Sequence, residues 1–185
     1  MRILVAGAGG VLGRTTLPHL DRHEVVGLTR AREKLQLVAD LGAEAIACDV
    51  YDYPALLEIA RRARPQIVVN FLTDLSTRSE EANNRVRREG AANLLEAAEA
   101  ANASRLVVES VAFTLHGDAA RALEQLEQST RQFAGEALIL RFGRFWGPAT
   151  WYQTPPEPPA IHIDKAGAEA ARLIADAPPG TCVVT

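Results

Sequence analysis

The sequence has no apolar run long enough to cross a bilayer, so a soluble protein with no membrane role is expected. It also lacks an excess of charge of either sign. A formal net charge of -3 and a pI near 5.8 offer no general attraction to nucleic acid or to an anionic membrane. Cysteine is scarce: Cys48 and Cys182 are too few for a disulfide framework. The N-terminus opens on a core strand and not on a charged, cleavable signal, so both thiols are expected to stay reduced in a cytoplasm. No metal site is expected, since His162 and Asp164 have no third ligand nearby in the sequence. Lysine is limited to Lys34 and Lys165.

What is present is a chain of 185 residues, 48% of them hydrophobic, enough for one good core and a single domain over 1–185. Apolar runs alternate with helical patterns, which predicts an α/β fold: one doubly wound parallel sheet of the Rossmann type, with helices on both faces. Strands are expected at Arg2–Ala6, Glu24–Thr29, Ala43–Ala47, Gln66–Phe71, Arg105–Ser110, Leu138–Phe142 and Cys182–Val184. Helices are expected near Val11–Leu20, Glu33–Leu41, Pro54–Arg62, Asn83–Ala101, Ala119–Phe133 and Lys165–Asp176, the last capped by Asp164. Runs such as Ile67-Val68-Val69 and Leu106-Val107-Val108 suit strands covered on both faces. Five prolines between Trp146 and Pro159 make 149–160 a Pro-rich loop.

The most informative stretch is Gly7-Ala8-Gly9-Gly10-Val11-Leu12-Gly13, directly after the first apolar strand. Gly7 and Gly10 would let the backbone turn sharply beside a pyrophosphate, and Gly13 would let the following helix pack on the strand. The spacing is G-x-x-G-x-x-G, since Leu12 occupies the place of the last glycine in the stricter pattern. The competing reading is a glycine turn that merely packs.

Several segments together resemble the short-chain dehydrogenase/reductase superfamily, in its extended or atypical branch of epimerase/dehydratase-like proteins. They are the glycine loop, Cys48-Asp49-Val50, Arg64 to Asn70, Gly90 to Ala97, Val108-Glu109-Ser110-Val111-Ala112, Leu140 to Pro148 and Ile161 to Asp164. The resemblance implies dinucleotide contacts from Gly7, Gly10, Val11, Leu12, Gly13, Asp49, Val50 and Asn70. Asp49 could equally cap a turn ahead of Tyr53-Pro54.

The second strand ends Gly27-Leu28-Thr29-Arg30, with Arg32 close behind and no carboxylate at the position that holds the ribose hydroxyls of NAD. A guanidinium can grip a 2′-phosphate, so Arg30 and Arg32 point to NADP(H) in preference to NAD(H). Otherwise the two arginines are a solvated pair opening a helix.

Catalysis departs from the resemblance. The superfamily uses Tyr-x-x-x-Lys, and neither lysine here stands four residues after Tyr51, Tyr53 or Tyr152. Counting back from Glu124 puts Ala120 at the lysine place and His116 at the tyrosine place, while Ser110 matches the serine. Ser110 and His116 are therefore the candidate catalytic residues, against a strand-ending serine and a loop histidine. The substrate lobe is also cut down to the loop holding Trp151 and Tyr152, either an aromatic lid or cover for a sheet edge or subunit contact.

Arg85, Arg87 and Arg88 alternate with Glu80, Glu81 and Glu89, as on a solvated helix face and unlike a nucleic-acid patch. The stripes Val86, Gly90, Leu94, Ala97, Ala98, Ala101 and Ala119, Ala122, Leu123, Leu126, Phe133 would serve either a homodimer through helices 83–101 and 119–133 or the protein's own sheet. Three functions remain open. They are an NADP(H)-binding module without Tyr/Lys catalysis, a small NADP-dependent reductase or epimerase-like enzyme, and a structural protein with a vestigial nucleotide site.

Overall fold

The computed structural model describes residues 1–75 and 77–185. Seven strands form one parallel sheet: β1 (Arg2–Ala6), β2 (Glu24–Thr29), β3 (Glu44–Ala47), β4 (Ile67–Asn70), β5 (Arg105–Val111), β6 (Glu136–Phe142) and, at the edge beside β6, a strand over Gly180–Val184. The order is β3-β2-β1-β4-β5-β6 followed by that edge strand. Chain direction across the sheet reverses between β1 and β4, where the crossovers diverge and leave a crevice beyond the strands' C-terminal ends.

Helices α1 (Val11–Thr16), α2 (Leu35–Asp40), α3 (Tyr53–Ala63), α4 (Glu80–Arg85), α5 (Ala91–Ala100), α6 (Gly117–Arg131) and α7 (Ile163–Asp176) cover the two faces. Because successive side chains on a strand point to opposite faces, the central strands split between two cores. Ile3, Val5, Val69 and Val107 pack with α1 and α7, whereas Leu4, Val68, Leu106 and Val108 pack with α3, α5 and α6. Arg105 is buried at the start of β5. Its Nε donates to Glu136 at 2.9 Å and its Nη1 to the carbonyl of Ile174 at 2.9 Å, with Nη2 donating to Ala177, so one guanidinium satisfies the carbonyls at the end of α7.

The expected strands are all present, Arg2–Ala6 and Glu24–Thr29 with the expected ends and the others with shifted ones, but several local readings need correction. The helix expected from Asn83 begins at Glu80 behind an N-cap, Ser79, and carries a π-helical turn over Val86–Gly90. Asp164 is not the cap of α7; it sits in the first turn, and His162 is the cap, its Nδ1 accepting from the Asp164 amide at 3.3 Å. Two strands were not foreseen. Arg144–Trp146 (β7) pairs in parallel with Ala160–His162 (β8), closing off the Pro-rich segment at its base and taking Ala160 out of the loop; the edge strand Gly180–Val184 is accordingly β9. Strands of three residues leave too little periodicity to read.

Most of the two apolar stripes is buried within the protein, with Ala101, Ala119 and Leu123 partly exposed. Val86, Leu94, Ala97, Ala98, Ala122, Leu126 and Phe133 are buried in the core, while the outward faces of α5 and α6 carry Glu96, Glu99, Arg121, Glu124 and Gln125. No helix among the described residues is long and apolar enough to cross a membrane.

Candidate functional site

The glycine turn lies in the crevice. Gly7 has a φ of +88°, and a Cβ there would stand 2.5 Å from the carbonyl oxygen of Phe71. A Cβ on Gly13 would meet the Gly7 oxygen at 2.4 Å, so Gly13 serves packing of the turn against α1. Gly10 is exposed with an ordinary φ of -75°, and a Cβ would touch only the Gly7 oxygen at 3.1 Å, leaving its outer side open.

Beside this turn runs a groove of about 190 Å³. Its floor comes from Ala6, Leu28 and Phe71, and its walls from Gly7, Gly9, Gly10, Thr29, Arg30, Lys34, Asp49, Val50, Tyr51 and Asp74. The strand-end loops of β1, β2, β3 and β4 therefore meet at one place. A larger recess of about 440 Å³ lies at the opposite ends of β1 and β2, away from the glycine turn; in it Arg62 pairs with Glu44 at 3.6 Å and Arg2 Nε donates to the Arg64 carbonyl at 2.9 Å.

Of the residues expected to contact a dinucleotide, Gly7, Gly10, Arg30, Asp49 and Val50 line the groove. Val11, Leu12, Gly13, Arg32 and Asn70 do not. Leu12 is 4% exposed in the core, Arg32 points to solvent in a 3-10 turn, and Asn70 Oδ1 accepts from the Leu72 amide at 3.0 Å, shaping the loop after β4. Asp49 performs the turn role, its Oδ1 accepting from the Tyr51 amide at 3.0 Å; the adjoining cap of α3 is Asp52, which accepts from Ala55 at 3.2 Å.

Among the groove residues that were not foreseen, Lys34, Tyr51 and Asp74 bring polar chemistry. Lys34 Nζ donates to the Gly9 carbonyl at 3.2 Å, placing a second cation at the rim four positions after Arg30; its closeness in sequence to Arg30 and Arg32 was the available signal. Tyr51 lies under the Arg85 guanidinium at 4.2 Å, and burial pushes its phenol upward. Asp74, 8% exposed, holds Arg30 Nη2 at 3.4 Å through Oδ2. Nothing in the sequence marks Asp74, because its relation to Arg30 exists only once β4 and β2 flank β1. Cys48 also lines the groove, but burial, then Asp52 and Asp49, push its thiol up to about 11, so it stays protonated at neutral pH.

The candidate catalytic pair lies elsewhere. Ser110, 2% exposed, donates its hydroxyl to Glu127 Oε1 at 2.6 Å. Arg141 also donates to both oxygens of Glu127, at 2.8 and 2.6 Å, and Arg131 to one at 2.7 Å. Burial raises the Glu127 carboxyl, but these hydrogen bonds outweigh it and hold the group down at about 2. His116 is exposed as the N-cap of α6, with no side-chain capping bond. Trp151 is 70% exposed, with Arg78 5.3 Å above its ring, so the Pro-rich segment leans on the loop after β4.

The groove fits a dinucleotide on its own geometry: a glycine turn open on its outer side, backbone close to the crevice, and two cations at the end of β2. The sequence profile of the NAD dependent epimerase/dehydratase family matches residues 3–129. A 3-diazoavenalumate denitrifying reductase from a Streptomyces species is 35% identical over 82% of this chain, which spans 59% of that relative's length. The Thermus thermophilus UDP-glucose 4-epimerase in complex with NAD superposes with a TM-score of 0.81 at 17% identity, covering 100% of this chain and 77% of the other. The Bordetella bronchiseptica enzyme WbmG in complex with NAD gives 0.79 at 19%, covering 100% and 72%. At such identities these structures establish the shared fold. The chain belongs to the NAD-dependent epimerase/dehydratase family.

Proposed function

We propose that this protein binds NADP(H) in the groove and acts as a reductase on an electrophile whose reduction requires no proton donor of the Tyr/Lys kind. The observation that carries the reading is the pairing of an open glycine turn with Arg30 and Lys34 after β2, where Leu28-Thr29-Arg30, at and just past the strand's end, offers no carboxylate to the groove. When bound, NADPH supplies a hydride. The residues supply the rest. Gly7 and Gly10 leave room for a pyrophosphate, Arg30 and Lys34 meet the charge of a 2′-phosphate, and Asp49 and Val50 border the adenine end. Ser110 and His116 have no chemical role in this reading, because one hydroxyl is committed to Glu127 and the other side chain is exposed outside the groove.

Reduction of a carbonyl creates an alkoxide that must be protonated, which is the task of the superfamily's tyrosine. An aryl diazonium group makes no such demand. When hydride replaces it on carbon, the C–N bond breaks, a C–H bond forms and N2 departs with the electron pair of the broken bond. The 35% identical relative is named as a reductase of a diazo compound, and a chain without Tyr-x-x-x-Lys suits that chemistry.

The test follows NADPH absorbance with a panel of small aldehydes and ketones beside an aryl diazonium salt, against a protein-free control. Consumption with the diazonium well above the control, and negligible consumption with the carbonyls, is expected. Loss of a positioned proton donor costs on the order of 10²–10⁴ in carbonyl reduction. Brisk carbonyl turnover would contradict the reading and locate a replacement acid. Binding without turnover on either class would leave a dinucleotide-binding module.

A further inference from the structure

The groove holds an acidic group as well as its cations. Asp74 is more than nine-tenths buried, yet its Oδ1 has no hydrogen-bond partner among the described residues. A buried carboxylate oxygen left unpaired carries a desolvation cost that a hydrogen-bond donor would relieve. Asn84 Oδ1 is a second such atom, but Asn84 does not line the groove, whereas Asp74 does. The other Asp74 oxygen holds Arg30, itself 57% exposed at the side chain and free to swing outward. Phosphate groups offer no donor to Oδ1 at neutral pH. Ribose hydroxyls do.

We propose that Asp74 is a specificity-determining residue that opposes Arg30. It supplies, from the loop after β4, the ribose-binding carboxylate that is missing after β2, so that the groove accepts NAD(H) as well as NADP(H). This rests on the reading of the groove as a dinucleotide site. With NADH, Oδ1 accepts from a ribose hydroxyl while Oδ2 keeps Arg30 at the wall. With NADPH, Arg30 leaves Asp74 for the 2′-phosphate, and the cost of breaking that pair narrows the margin between the two cofactors. The backbone at Asp74 is held without its carboxylate: Asn83 Oδ1 accepts from the Asp74 amide at 3.0 Å, and Thr77 Oγ1 donates to its carbonyl at 3.1 Å. The Asp74→Asn variant should therefore keep the loop in place.

The experiment is a calorimetric titration of the wild type, Asp74→Asn and Arg30→Ala with NADPH and, separately, NADH. For Asp74→Asn the NADPH-to-NADH affinity ratio should rise about tenfold, through weaker NADH binding and unimpaired NADPH binding, as expected for one charge-assisted hydrogen bond. Arg30→Ala, which does not depend on the folding of the first variant, should weaken NADPH and leave NADH bound at least as tightly. An unchanged ratio in Asp74→Asn, or equal weakening of both cofactors in Arg30→Ala, would overturn the role of Asp74 while leaving the groove as the site. Failure of the wild type to bind either cofactor would overturn both.

Discussion

Gly10 and Gly13, three residues apart, do different work. At Gly13 a Cβ would lie 2.4 Å from a backbone oxygen, a contact that cannot relax without moving the turn. At Gly10 the nearest atom is 3.1 Å away and the φ of -75° suits any residue. Gly13→Val is therefore expected to cost about 3 kcal/mol or more of stability. Gly10→Val should cost about 1 kcal/mol or less while abolishing dinucleotide binding, since its side chain enters the open side of the turn. Denaturant melts and NADPH titration of both variants check this. Retained binding in Gly10→Val would remove the turn from the site. The glycine motif was legible in the sequence because each glycine stands where backbone approaches backbone. The packing role of Gly13 was legible as well; the clearance on the outer side of Gly10 was not, since it depends on the direction a missing Cβ would take.

At the scale of elements, α6 is fastened to β5 and β6 through Glu127, which gathers Ser110, Arg131 and Arg141. Its carboxyl sits at about 2 against an ordinary 4.5, so the stabilisation is fully present above about pH 4.5 and is lost as pH falls toward 2. Glu109, on β5, has the opposite shift: burial raises it to about 8 despite the nearby Arg87. The stability tied to its neutral form is fully present below about pH 4.5 and is lost as pH rises through 8. Melting curves from pH 2.5 to 8.5 should thus show two separable slopes. Glu127→Gln should flatten the acid limb and lower neutral stability by about 1–3 kcal/mol, discounted for the partial exposure of its arginines. Glu109→Gln should flatten the limb from about pH 5 to 8. Parallel curves for variant and wild type would contradict the assigned partners. Strand identities on either side of these groups were legible from continuous apolar runs such as Leu106-Val107-Val108. The role of Ser110 was not, because Glu127 lies 17 residues away and meets it only across the packed helix.

For the molecule as a whole, the alternation of strands and helices was enough to foresee the sheet, since parallel strands buried on both faces and their crossover helices carry distinct periods. Arg30 could be read directly because it follows its own strand. Lys34, in the same stretch, was within reach of that reading, whereas Asp74 became part of the site only through the order of β2, β1 and β4, which brings its loop to the same edge. The central claim is that this edge binds NADP(H) through the cations after β2. Its most direct test is the affinity of the wild type and Arg30→Ala for NADPH and NADH, measured by fluorescence or calorimetric titration at fixed ionic strength. The account predicts that the wild type binds NADPH more tightly than NADH and that Arg30→Ala weakens NADPH roughly tenfold to a hundredfold, removing most of the preference. Equal affinity of the wild type for both cofactors, or binding of neither, would contradict it.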